Sequence, residues 1–339
     1  MKLLKFLFFL ILVIVIGGAI YFGAKDGTYD VKQSKNIKAP VSLLFDTVNE
    51  YKTWENWGPW KEEDPSMTFS YPDKTSGIEG SYSWDGKFSG SMTTTNLVQN
   101  QSLEQDLTLA TPGGERYPKV YWTFEAQEDG STTINWGMRG EHSFIDKVYY
   151  AVSGMDFYAD MEEMHQKGLL GLENLANKAM RVYSVSESVI TEYGGGFYLY
   201  KTSSASSSNI STVMAQNYGE IMSFAAQNKI APSGMPFTIY NEMSSGGVIM
   251  SNAIPVREKV AIAGATNILS GYLPTTTAVK TTLTGNYEYL DQAWTKANDY
   301  IIQNNLEQST LKPFEVYTND PGEFPNPADW STDLYIPIK

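Results

Sequence analysis

Pro313-Phe314-Glu315-Val316-Tyr317 restates Pro236-Phe237-Thr238-Ile239-Tyr240, and the reading of the fold follows from that repetition. Upstream, a run opening at Tyr218 and closing on Gln227-Asn228 is matched by one opening at Trp294 and closing on Gln303-Asn304. Downstream, Ile254-Pro255-Val256 is matched by Ile336-Pro337-Ile338. The spacing between matched elements grows along the second copy, so the insertions fall in loops, which tolerate them. Residues 286–338 therefore read as a second copy of residues 210–256. Ile221, Phe224 and Ala225 in one copy, and Ala297, Tyr300 and Ile301 in the other, recur at the i, i+3, i+4 spacing of an amphipathic helix. The Ile-Pro-Val and Ile-Pro-Ile segments are β-branched strands whose proline marks an end or an edge. Each copy reads as strand, helix, strand, strand, and two copies make a sheet backed by two helices.

Val279 to Ile338 carries a resemblance. Gly285-Asn286-Tyr287 before the helix, Glu315-Val316-Tyr317 and Asp320-Pro321 after it, and Trp330-Ser331-Thr332-Asp333-Leu334-Tyr335-Ile336-Pro337-Ile338 at the end are similar to the gyrase-inhibitory-protein-like family. The resemblance covers roughly residues 182–339, with repeats of about 182–256 and 257–339. It implies a pseudo-twofold barrel used as an effector-binding module, whose cleft between the copies takes hydrophobic, often cationic, ligands. Such modules are commonly fused to a helix-turn-helix DNA reader, and no basic recognition helix is evident in this sequence.

Composition narrows the classes of function. With 339 residues, 42% of them hydrophobic, the chain exceeds one typical domain. The absence of cysteine excludes disulfides, thiolate metal sites and cysteine nucleophiles. A net charge of -13 argues against nucleic acid, whose binding comes largely from Lys and Arg neutralising phosphates. The only two histidines, His142 and His165, read as surface residues rather than metal ligands. No metal and no cofactor are expected.

Phe6 to Ala24 contains no charge, and as a helix it would span about 28 Å, close to the hydrocarbon thickness of a bilayer. With Lys2 and Lys5 in front and no clear Ala-x-Ala cleavage site, residues 1–26 read as an uncleaved membrane anchor, a signal peptide being the alternative. Lys25, Lys32, Lys35 and Lys38 weaken a simple positive-inside count. The expected arrangement is a single-pass protein with its soluble body outside the cytoplasm.

Residues 27–181 run strand, helices, antiparallel strands, long helix. Tyr29–Ile37 alternates as a strand, and Val41, Leu44, Phe45 and Val48 share one helix face. Short glycine-separated strands occupy 67–138, and an amphipathic stretch, about 155–180, closes the region. The Ala39-Pro40-Val41-x-x-Leu44-Phe45-x-x-Val48 start, the Trp54-x-x-Trp57-x-x-Trp60 stretch and Tyr82-Ser83-Trp84-Asp85-Gly86 resemble the polyketide cyclase/dehydrase branch of the START-like (SRPBCC) helix-grip superfamily. That resemblance implies an α+β fold in which a curved antiparallel sheet grips the last helix over an apolar cavity. It says little about function, because members bind lipids, hormones or polyketides or catalyse varied reactions.

The candidate ligand-binding residues are Glu315, Tyr287, Trp294, Tyr317, Asp333 and Tyr335 in the C-terminal region and Trp57 and Trp84 in the N-terminal one. A carboxylate in an apolar strand costs free energy on burial unless it is paired, and a cationic ligand supplies the missing partner at Glu315, aided by cation-π contact. The competing placement points Glu315 outward on a half-exposed sheet. Asp333 is a second acidic candidate. The tryptophans satisfy two readings, a ligand cavity or ordinary core. Ser203–Ser208 reads as a flexible connector, and Gly194-Gly195-Gly196 as a turn between strands rather than a phosphate loop. No nucleophile, base and orienting group occur together, so no catalytic residue is named. The expected function is a membrane-anchored sensor or carrier of hydrophobic, possibly cationic, small molecules or lipids; the alternative is a hydrolase acting on a small apolar substrate in the C-terminal pocket.

Overall fold

The computed structural model describes residues 2–111, 113–244, 246–262, 266–319 and 321–339; Asp320, quoted above, lies outside them. The chain forms two compact units, Met1–Lys178 and Ala179–Lys339. Both are α+β with antiparallel sheets.

The first unit opens with α1 (Lys2–Ala24), which is long and apolar enough to cross a membrane and is not buried against the protein. Then follow β1 (Thr28–Ile37), α2 (Val41–Asn49), a 3-10 turn at Tyr51–Asn56, and α3 (Trp60–Glu63). The strands β2 (Thr68–Ser70), β3 (Ser81–Asp85), β4 (Gly90–Val98), β5 (Ser102–Thr111), β6 (Gly114–Arg116), β7 (Lys119–Ala126) and β8 (Thr132–Glu141) come next. Two helices close the unit, α4 (Phe144–Ser153) and α5 (Phe157–Met180). The sheet runs β1-β8-β7-β5-β4-β3-β2, with β6 on β5. Its first and last strands in sequence, β1 and β8, are neighbours, so the chain returns to the edge where it began.

Leu44, Phe45 and Val48 of α2 are buried, as their common face requires. Six tryptophans lie in this unit; four of them, Trp54, Trp57, Trp122 and Trp136, are buried, and Trp60 packs half-buried against them. Trp122 stacks on Trp136 at 4.5 Å, Trp54 stacks on Trp60 at 5.5 Å, and Trp57 meets Trp122 and Trp136 edge-on at 6.0 and 5.9 Å. Such offset and edge contacts are the favoured aromatic geometries. Helix α5 closes over these indoles because its contact residues are glycines. A Cβ at Gly171 would sit 2.0 Å from the Trp57 carbonyl oxygen, and one at Gly168 would sit 2.4 Å from the Trp136 ring.

The same closure corrects the expectation for His165. It is buried on α5, its ring 4.5 Å from Trp136, because the helix face that must pack on the indoles carries it inward. Burial lowers its pKa to about 4, so it is neutral at pH 7, and among the described residues its Nδ1 has no hydrogen-bond partner. A histidine held below its ordinary value of 6.5 contributes stability that is complete above that pH and is lost as the pH falls toward 4. The thermal midpoint should therefore fall across this window. The fall should shrink in His165→Gln, whose side chain does not titrate; an identical pH profile in that variant would show that other groups control acid stability.

The second unit contains β9 (Ser184–Val185), β10 (Val189–Tyr193), β11 (Gly196–Ala205), α6 (Ile210–Gln227), β12 (Phe237–Ser244), β13 (Gly247–Val256), β14 (Leu269–Leu273), β15 (Thr276–Thr284), α7 (Leu290–Gln303), β16 (Phe314–Tyr317) and β17 (Ser331–Pro337). The sheet order is β10-β15-β17-β16-β12-β13-β11-β14, with β9 on β15. The duplication is visible as β11-α6-β12-β13 and β15-α7-β16-β17. Ser203 and Ser204 belong to β11, not to a flexible connector, because β11 stays paired with β13 as far as Ala205↔Val248. Gly195 and Gly196 make the β10–β11 turn with φ of 67° and 133°, conformations that favour glycine.

Each helix buries the face its spacing predicts. Ile221 and Ala225 of α6 pack on Leu199, Ile254 and Val256, and Ala297 and Ile301 of α7 pack on Val279, Leu334 and Ile336. On the opposite face, Leu273 of β14 and Tyr193 of β10 reach one cluster around Phe237, Phe314 and Tyr335. Strands from the two ends of the sheet thus meet, and the sheet curls into a half-barrel.

Candidate functional site

The two copies meet where β12 pairs antiparallel with β16. Phe237 faces Val316, Thr238 faces Glu315 and Ile239 faces Phe314. Thr238 and Glu315 are matched residues of the repeat and are also partners across the ladder, so the pseudo-twofold axis passes between them. Glu315 is 1% exposed and Thr238 is fully buried.

The side chains around this pair follow the same pseudo-symmetry. From α7, Trp294 Nε1 donates to Glu315 Oε1 at 2.6 Å; from α6, the matched Tyr218 hydroxyl lies 2.9 Å from Thr238 Oγ1. Tyr240 donates across the axis to Glu315 Oε2 at 2.8 Å. Its counterpart Tyr317 shares its hydroxyl proton between Glu315 Oε2 and Thr238 Oγ1, both at 3.1 Å. Asn252 Nδ2 donates to Thr238 Oγ1 at 2.9 Å, and Asn217 Nδ2 supports Asn252 at 2.7 Å.

Glu315 therefore points inward, and the unpaired carboxyl expected from the sequence is instead surrounded by neutral donors. Among the described residues it has no ion-pair partner. Burial raises its pKa above 4.5, opposed by the bonds from Trp294, Tyr240 and Tyr317. Burial, with the Glu315 charge nearby, raises Tyr240 and Tyr317 well above 10, so both remain neutral hydroxyl donors. The arrangement is a polar socket in an apolar wall, with at most one net negative charge.

The other candidates divide. Tyr287 packs at 5.5 Å from Tyr317 and 4.7 Å from Trp330, at the margin of the socket. Asp333 and Tyr335 lie on the opposite face of the sheet, because Asp333 is the ladder partner of Val316 while Glu315 partners Leu334. There Asp333 pairs with Lys280 Nζ at 2.8 Å and accepts from Thr282 Oγ1 at 2.6 Å, and Tyr335 stacks on Phe314 at 5.1 Å. In the first unit, Trp57 is buried among indoles, whereas Trp84 lies at the β3–β4 end and donates Nε1 to the Phe88 carbonyl at 2.9 Å. Sequence reasoning did not name Tyr218, Tyr240, Thr238 or Asn252 as site residues. The repeat already matched the first to Trp294 and the next two to Tyr317 and Glu315, which was the available signal.

Among the described residues no cluster of histidine, aspartate and glutamate could hold a metal ion.

The second unit is thus a half-barrel built from two copies of one unit, with a polar socket on its axis. Residues 198–339 match the GyrI-like small molecule binding domain and are a domain of that kind. None of the curated proteins matches the chain. Similar solved structures include the EcmrR–DNA complex (13% identity, TM-score 0.41, 58% of this chain and 78% of that one) and the EcmrR C-terminal domain (17%, 0.38, 47% and 98%). Protein CV1439 from Chromobacterium violaceum is a third (11%, 0.34, 43% and 96%).

Proposed function

We propose that this protein is a membrane-anchored binding protein, a sensor or carrier, that captures a hydrophobic organic cation at Glu315. The observation that carries the reading is a buried carboxyl on the symmetry axis that three neutral donors hold and that, among the described residues, no cation balances. A positive ligand supplies the countercharge, and the faces of Trp294, Tyr287 and Tyr317 supply aromatic area and cation-π attraction. Binding then favours the ionised carboxyl, lowers its pKa and releases a proton where Glu315 would otherwise be protonated. The GyrI-like family of residues 198–339 supports small-molecule binding. The apolar helix α1 supports the anchor. The order of strands and helices in the first unit supports the START-like reading, in which that unit carries a second, lipid-class site near Trp57 and Trp84.

The test uses residues 27–339 and two probes of one shape, benzyltrimethylammonium and its uncharged analogue neopentylbenzene. At 100 times its dissociation constant the cation should stabilise the protein by about 2.7 kcal/mol, seen as a raised thermal midpoint, while the neutral analogue has little effect. Equal stabilisation by both, or by neither, would refute the acidic site. Recovery of the probe unchanged is the expected outcome; a cleaved ester analogue of it would establish the hydrolase instead.

A further inference from the structure

Helix α4 carries its apolar stripe on the wrong side for a soluble fold. Ile145, Tyr149 and Val152, at i, i+4 and i+7, are 58%, 52% and 76% exposed, and Phe144 and Met155 extend the patch. An amphipathic helix normally turns such a stripe to the core, and an exposed patch of this kind marks an interaction surface. The helix is nevertheless fixed. Ser143 and Asp146 form a capping box, Asp146 pairs with Arg116 at 2.6 Å, and Tyr150 packs on His142 and Phe157 at 5.1 and 5.5 Å. Both charged residues of α4 are used on that inner side, since the other, Lys147, donates Nζ to the Lys25 carbonyl. The outer side carries no charge.

That last bond also says what the stripe faces. Lys25 directly follows α1, and α1 touches α4 without being buried on it. The next residue but one, Gly27, passes so close to α4 that a Cβ there would meet Lys147 Cε at 2.6 Å. The exit of the apolar helix is thus tied to the first turn of α4, where the uncovered stripe begins at Ile145. Tyr117, beside the Arg116 that pairs with α4, and Tyr158 of α5 are 67% and 48% exposed, and tyrosines favour the level of the lipid headgroups.

The geometry points to α4 as an interfacial helix: its Ile145–Tyr149–Val152 stripe lies in the headgroup–acyl boundary of the bilayer, beside the span, and fixes the first unit against the membrane. This rests on the reading of α1 as a membrane anchor. The lipid surface is the occupant, because the Lys147–Lys25 bond holds the first turn of α4 at the end of the apolar helix, and attachment at two places restricts the tilt of the unit in a way a lone span does not.

The chain has no cysteine, so single labels can be placed freely. The full chain is reconstituted in phosphatidylcholine nanodiscs with an environment-sensitive fluorophore at Ile14→Cys, Tyr149→Cys, Val152→Cys or Glu128→Cys, and quenching by lipids brominated near the headgroup end of the acyl chain is read. Glu128 serves as the distant control. It follows β7 at the end of β8 away from α4, on the order of 30 Å along that strand. Loss of fluorescence at 149 and 152 but not at 128 is the expected result. Quenching at 14 with none at 149 and 152 overturns the interfacial helix and leaves the anchor intact. No quenching at 14 removes the anchor, and the inference with it. Quenching at 128 as strong as at 152 shows adsorption without orientation and overturns the proposal. So does emission at 152 that is insensitive to brominated lipid but changes when two copies share a disc, which would assign the stripe to self-association.

Discussion

Glu315→Gln should abolish the response to organic cations while leaving the protein at least as stable as the wild type at neutral pH. The substitution keeps the shape of the side chain. The amide oxygen accepts from Trp294 Nε1, and its nitrogen donates to the hydroxyl oxygens of Tyr240 and Tyr317, which rotate to suit. What disappears is the charge. Because burial holds the wild-type carboxyl above 4.5, its folded form binds a proton more tightly than its unfolded form. The stability this contributes is complete below pH 4.5 and is lost as the pH rises through the raised folded value. The variant has no such loss, so the two stability curves should diverge as the pH rises. In the wild type a bound cation offsets that loss and adds about 2.7 kcal/mol at 100 times its dissociation constant. In the variant the same concentration should leave the thermal midpoint unmoved. An undiminished cation shift in the variant would place the ligand elsewhere. Parallel pH curves would mean that burial does not hold the folded carboxyl above its unfolded value.

Trp122→Ala should cost the first unit about 3–5 kcal/mol, the range for truncating a large buried aromatic. The side chain is completely buried, stacks on Trp136 and meets Trp54 edge-on at 6.1 Å. It also donates Nε1 to Gln105 Oε1 at 3.1 Å. Alanine therefore leaves a large cavity and strands the buried Gln105 oxygen. Trp60→Ala, at a half-buried position at the edge of the same cluster, should cost less. Urea unfolding followed by tryptophan emission reads this directly, since six of the eight tryptophans lie in the first unit. A midpoint lowered no further by Trp122→Ala than by Trp60→Ala would show that the indole cluster is not the core of this unit.

The repeat was legible because its signals are local: proline positions, apolar spacing within each helix, and a five-residue strand written twice. The relation between Glu315 and Asp333 was not. Both are acidic residues in the C-terminal strands of one copy, and both resemble the acidic floor of a pocket. Strand parity assigns them to opposite faces only after the ladder between β16 and β17 is known, because a one-residue shift in register would exchange the faces. The same limit hid the helix at 144–153. Its Ser-x-x-Asp capping signal was present, but a stripe such as Ile145–Tyr149–Val152 reads as core until the structure leaves it uncovered.

The sequence alone determined that two copies of a strand-helix-strand-strand unit share a sheet, that an uncharged helix precedes them, and that one copy carries a carboxyl where the other carries a hydroxyl. These follow from short-range pattern and composition, which each segment holds independently of the rest. Only the tertiary structure decided that Thr238 and Glu315 face each other on the axis, that Tyr240 donates across it, and that four buried indoles gather in the first unit. Those facts depend on register and on which side chains reach a common point. They arise when segments distant in sequence pack together, and no single segment contains them.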